Sequence, residues 1–438
     1  MAGQPPKPRP GGPRSGDVGP WDFGSWDVGP WLTVYQGEVA YNPFMRRPRG
    51  KNEAMSNTGP NENRRTRKNG PGNGHGRNGH GRNGHGAEPD GSVSRPRVEA
   101  ERRRVTLALQ GGGAHGAFTW GVLDRLLEDE RIEIEGISGT SAGAMNGAVL
   151  AWGMMKGGRQ GARDALDHFW RRVGEEGRWS PLQPSWFDRM MGTNGTLDHS
   201  PTYLALDMLS RLLSPYQMNM LDYNPLRAVL DDLVDFEALK RCEIMKLFIS
   251  ATNVRTGKIK VFNIHEVSTD VILASACLPL MFRAVEIDGE HYWDGGFMGN
   301  PAIFPLLYDC TSSDVVLIEV NPIRTAQVPT TAREILDRMN NISFNSTLMR
   351  EMRAVAFVSE LVGDHVLSRN NRLRRINFHM IEAEEVMDRL GASSKFNSDA
   401  TFLSSLKALG RQTAEDWLGE SFSKVGRESS IDLQQLFF

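Results

Sequence analysis

The 438-residue sequence predicts an α/β fold with a largely parallel central sheet and helices on both of its faces. Three observations predict it. From Val105 onward, short apolar runs alternate with segments of helical periodicity, the βαβα order that builds parallel sheets. The run "VVLIEV" at 315–320 is almost wholly apolar, as a strand covered on both faces must be. Glycine clusters fall where the first two strands pass into helices.

Taken in order, the pattern predicts strand 105–109, helix 115–129, strand 132–137, and helices 142–155 and 160–173. Helices near 201–213 and 224–241 follow, then strands 246–252 and 258–263, a helix at 268–276, a hairpin turning at Asp288-Gly289, and strand 314–320. From Ala332 a long helix carries Ile335, Met339, Ile342, Met349, Met352 and Ala356 at three- to four-residue spacing, a stripe expected in the core. A strand at 375–381 and a helix near 396–418 end the chain.

Residues 1–104 differ in kind. Gly, Pro, Asn and Arg dominate, and such a composition buries too little apolar surface to offset chain entropy, so a disordered low-complexity tail is expected. It holds 18 Lys/Arg against 10 Asp/Glu, so the chain's net charge of −2 conceals a basic tail on a mildly acidic body. Two repeats lie in the tail, "GPWDFGSWDVGPW" at 19–31 and "NGHGRNGHGRNGHG" at 73–86. The histidines of the second are not expected to hold a metal, because flanking glycines give the ligands a high ordering entropy. The expected divisions are therefore this tail, an α/β domain at 105–329, and a mainly helical extension at 330–438 packed on that domain.

Cys242, Cys277 and Cys310 are odd in number and far apart, which argues against a disulfide framework or a zinc site. The first thirty residues lack the apolar core of a secretory leader, and no stretch of about 18 apolar residues occurs. A cytoplasmic protein is expected, with contact at the inner membrane surface left open. No nucleic-acid partner is expected.

Two motifs carry chemistry. In "LALQGGGAHGAF", Gly111, Gly113 and Gly116 spell G-x-G-x-x-G, with Glu135 placed where a dinucleotide-binding domain would hold a ribose. The same amides could instead receive an oxyanion. Gly139, Thr140, Ser141, Ala142 and Gly143 form G-x-S-x-G between a strand and a helix, the setting of a nucleophile elbow. A serine nucleophile needs a base. Asp294, followed by Gly295 and Gly296, is the leading candidate, and a triad of Ser141, Glu319 and His379 is the alternative.

The blocks "GGGAHG" at 111–116, "GTSAG" at 139–143, "ASACLPLMF" at 274–282 and "DGGFMGNP" at 294–301 together resemble, in order and spacing, those of the patatin-like phospholipases. The resemblance implies a three-layer α/β/α, modified α/β-hydrolase-like fold and a Ser141–Asp294 dyad. It further implies an oxyanion hole from the N–H groups of Gly111, Gly112 and Gly113, no metal or organic cofactor, and an acyl-lipid substrate cleaved at a carboxylic ester. Thioester or polyester hydrolysis would use the same chemistry. A catalytically silent lipid-binding protein is the alternative of another class, against which intact Ser141 and Asp294 argue.

One position departs from the family pattern. His115 stands where the first block usually carries Arg or Lys, and its place at a helix N-terminus predicts a neutral imidazole. Between the halves of the sheet, 178–195 gathers Trp179, Leu182, Trp186, Phe187, Met190 and Met191, which reads either as a lid over an acyl chain or as core beneath a long loop.

Overall fold

The computed structural model describes residues 102–178, 180, 182, 195–198, 200–363 and 374–438. The N-terminal repeats lie outside the described residues, as do Trp179, Trp186, Phe187, Met190 and Met191 of the candidate lid.

Among the described residues, eight strands make one sheet: β1 (Arg103–Leu109), β2 (Ile132–Gly139), β3 (Lys246–Asn253), β4 (Ile259–Asn263), β5 (Val285–Ile287), β6 (Glu290–Asp294), β7 (Asp314–Ile318) and β8 (Asn377–Ile381). Their order is β5-β6-β3-β2-β1-β7-β8, with β4 also paired to β3. The run from β3 to β8 is parallel. Strand β4 pairs antiparallel with β3, and β5 with β6, across short reversals, and β6 also pairs antiparallel with β3. Asp288 and Gly289 both take positive φ (53° and 77°), the geometry of a two-residue hairpin turn.

The longer helices are α1 (Gly116–Glu128), α2 (Ala142–Gly177), α3 (Pro201–Leu212), α4 (Pro225–Leu233), α5 (Thr269–Ser275), α6 (Ala332–Gly363) and α7 (Ala400–Glu420). Side chains alternate across a strand, so each strand feeds two cores. Leu107, Leu109, Ile137 and Ile249 pack with Phe118 of α1, Leu150 of α2 and Leu406 of α7. Ala108, Phe248, Leu317 and Phe378 pack on the other face with Leu306, Leu348 and Met352 of α6, and Phe437. The result is three layers, α/β/α.

The helices expected at 142–155 and 160–173 both form within α2, separated where Gly157 and Gly158 leave helical geometry (Gly158 φ 60°), so that the chain turns back and Trp170 Nε1 donates to Asn146 Oδ1 at 2.9 Å. Two elements differ from the sequence expectation. The helix expected over 224–241 ends at Leu233, and a short one starts after Asp235, whose carboxylate accepts the Ala238 N–H at 2.9 Å. In α6 only the second half of the apolar stripe is core. Leu348, Met352 and Ala356 are buried, but Ile335, Met339 and Ile342 are 43%, 59% and 55% exposed. Periodicity marks an apolar face without saying what covers it.

Candidate active site

The strand order reverses direction at β1, and the loops after β1, β2 and β7 leave the sheet at one end. Leu109 is level with both Gly139 and Ile318. In open α/β sheets this is where ligands bind. Ser141 follows β2 with φ 54° and ψ −121°, a strained conformation for a non-glycine residue. Its N–H donates to Ser275 Oγ at 2.9 Å, and the preceding Thr140 hydroxyl donates to the Gly299 carbonyl at 2.7 Å. Steric need explains the motif: a Cβ on Gly143 would lie 2.2 Å from the Leu109 carbonyl, and one on Gly139 2.5 Å from the Gly143 carbonyl. The serine therefore stands at the N-terminal, positive end of α2, with no capping bond from its side chain.

Asp294 closes β6 and is 2% exposed. One carboxylate oxygen accepts the Gly296 N–H at 2.7 Å, and Ser141 lies near enough for its hydroxyl to favour the ionised carboxylate. Burial pushes the Asp294 carboxyl up to about 7, outweighing the two donors that favour its ionised form. Its backbone is tied on both sides, by the Thr252 hydroxyl donating to its carbonyl and by its own N–H donating to the Cys277 carbonyl, each at 2.8 Å. The glycines after it permit close packing. A Cβ on Gly295 would sit 2.1 Å from the Ser250 carbonyl, and one on Gly296 2.3 Å from the Phe344 ring. The neighbouring Cys277 thiol is pushed up to about 12, first by burial and then by the Asp294 charge, so it stays protonated.

The glycine loop lies directly on the serine: a Cβ on Gly111 would fall 2.6 Å from Ser141 Cβ. Its N–H groups are not equivalent. Gly111 donates to Asn300 Oδ1 at 2.7 Å and is thereby engaged, whereas those of Gly112 and Gly113 meet no acceptor among the described residues. Gly113 takes φ 59°, and the Lys395 carbonyl would lie 2.3 Å from any Cβ there. Gly116 brings α1 against α2, its own virtual Cβ 2.7 Å from that of Ala142.

His115 is 1% exposed, with Nε2 2.7 Å from Ser394 Oγ. Burial first, and then the Lys395 charge, hold its pKa down to about 3. The imidazole is neutral, as the sequence predicts, but burial is the main cause. The cation beside this loop is Lys395 itself, which nothing in the local sequence announces. Ser275 and Asn321 were likewise not foreseen, although Ser275 lies within one of the quoted blocks.

Residues 107–307 match the patatin-like phospholipase family. The chain carries a patatin-like phospholipase domain. It is accordingly a hydrolase of the acyl-ester class to which that family belongs. No curated protein matches the sequence. Among solved structures, VipD from Legionella pneumophila is similar at a TM-score of 0.28 and 15% identity, over 70% of this chain and 67% of that one.

Two other arrangements do not assemble in this patatin-like domain. Glu135 accepts hydrogen bonds from the N–H groups of Thr311 and Ser312 at 2.6 and 2.7 Å, in the loop entering β7 at the far end of the sheet. It is not beside the glycine loop, as a ribose ligand would need to be. His379 Nε2 lies 3.0 Å from Asp314 Oδ1 at that same far end, so no Ser141–Glu319–His379 triad forms. No group of three or more His, Cys, Asp or Glu able to hold a metal occurs among the described residues, nor a helix long and apolar enough to cross a membrane.

Proposed function

We propose that the patatin-like domain hydrolyses carboxylic esters of acyl lipids through Ser141 as nucleophile and Asp294 as its base. The observation that carries this reading is their proximity: a strained, half-buried serine at a helix N-terminus beside an enclosed carboxylate whose ionised form its hydroxyl favours. Asp294 takes the Ser141 proton as Oγ attacks the ester carbonyl. The resulting oxyanion is held by the N–H groups of Gly112 and Gly113, with Gly111 supplying the close approach rather than a donor. Collapse breaks the ester bond, and Asp294 returns the proton to the departing alcohol. Water then attacks the acyl-serine, giving its proton to Asp294, and the acid leaves as Ser141 is re-protonated.

Exposed Ile335, Met339 and Ile342 on α6, whose Phe344 packs on Phe297 beside the site at 5.3 Å between ring centroids, suit a lipid substrate. Because Asp294 must be ionised to accept a proton, activity should rise with pH through about 7. Ser141→Ala and Asp294→Asn are each expected to lower ester turnover by about a thousandfold or more, while His379→Gln keeps most of it. A fluorophosphonate should label the wild-type serine and not the alanine variant. Full activity in Asp294→Asn, or its loss only in His379→Gln, would refute the dyad.

A further inference from the structure

The peptide group joining Gly111 to Gly112 has two ends, and the protein treats them differently. Its N–H, on Gly112, meets no acceptor among the described residues, while its carbonyl, on Gly111, accepts a 2.6 Å hydrogen bond from Asn321 Nδ2. Asn321 stands just beyond β7 and is itself held from several sides. Its N–H and Nδ2 donate to Gln110 Oε1 at 2.9 and 3.2 Å, and its carbonyl accepts from Asn345 Nδ2 at 3.0 Å. Gln110, Asn321 and Asn345 are all buried, an unusual place for three amides unless each is satisfied. The side-chain oxygen of Asn321 accepts from Lys395 Nζ at 2.8 Å, and Asn341 Oδ1 accepts from the same ammonium at 3.2 Å.

We infer that Lys395 and Asn321 are positioning residues for ester hydrolysis: the ammonium polarises the Asn321 amide, which polarises the Gly111–Gly112 peptide and strengthens Gly112 N–H as an oxyanion donor. This rests on the serine-hydrolase reading above. No proton moves along the chain of groups. Each hydrogen bond draws electron density toward the cation, and in a buried site such bonds reinforce one another. The same contacts fix the plane of the peptide, so the donor is held in place before charge develops on the substrate.

The effect requires a charged lysine. The groups packed on it are His115, held neutral on the glycine loop, and Asp337 on α6, with Asp198 and Arg333 beyond Asp337. Burial brings Lys395 down to about 8, against the favourable charge of Asp337. A protein with this device loses turnover as pH rises through that value.

The test is kcat and KM for a nitrophenyl butyrate ester across pH in wild type, Lys395→Arg and Lys395→Met, with Ser141→Ala as control. Wild-type kcat should fall on the alkaline side of about pH 8. Lys395→Arg, whose guanidinium stays charged, should keep the neutral-pH rate and extend the plateau to about pH 10. Lys395→Met should lose about tenfold in kcat, with KM within about twofold and no alkaline limb. An arginine variant with the wild-type alkaline limb overturns the inference, as does a methionine variant with wild-type kcat. If the methionine variant does not fold, wild type and the arginine variant still decide. An inactive Ser141→Ala with unaltered Lys395 variants removes only the relay; an active Ser141→Ala removes the serine reading itself.

Discussion

At Asp294 the proposed function and stability meet in one residue. Its folded carboxyl titrates near 7 against 3.8 unfolded, so between those values the folded state binds more protons, and stability falls as pH rises through the window. Above about 7 the cost of the buried charge is fully present. Asp294→Asn, which keeps the shape and removes the charge, is therefore expected to melt higher than wild type at alkaline pH, by a margin that shrinks as pH is lowered toward 4. Calorimetry over that range checks it, and a constant or reversed difference would contradict the assignment. His115 has the opposite sign. Its folded pKa lies below the unfolded 6.5, so stability is lost as pH falls from 6.5 toward 3. Ser141 and Asp294 were legible in the sequence because their glycine neighbours answer to contacts within a few residues or one strand away. Lys395 was not, because its site is made by segments that meet only after folding.

Among the elements, the tightest crossing is between α1 and α7, and it too is built on glycine. A Cβ on Gly121 would lie 2.0 Å from the Lys407 carbonyl, and one on Gly410 2.1 Å from the Phe118 carbonyl. The helices thus approach backbone to backbone, and α7 buries Leu403, Leu406 and Trp417 in the core that α1 shares with β1. Gly410→Ala must force them apart and is expected to destabilise the fold by on the order of 1–3 kcal/mol or more, the usual effect of overpacking. Urea denaturation measures it, and an unchanged midpoint would show that the crossing relaxes freely. Strand and helix types were largely readable, since apolar runs and caps are local signals. The break after Leu233 and the two-sided fate of α6 were not: the first turns on a single cap, and the second on what packs against the helix.

At the scale of the whole molecule, the segment after residue 330 is woven into the catalytic body. It supplies β8 alongside β7, α7 against α1, and the Lys395 backbone against Gly113. A chain ended at residue 330 should fail to give a cooperative melt or a labelled serine, because the edge of β7 and the apolar face of α1 would be left uncovered. A soluble, fluorophosphonate-reactive 1–330 product would show instead that the extension is separable. The sequence by itself determined the α/β class, the patatin-like blocks and the pair of groups that carry the proposed chemistry, since each depends on residue types at short spacing. Tertiary structure alone decided which glycine amides are unengaged, that Asn300 occupies one of them, that the nearby cation comes from Lys395, and that His379 belongs to Asp314. Those outcomes depend on distances between segments far apart in the chain, which no local pattern of residues encodes.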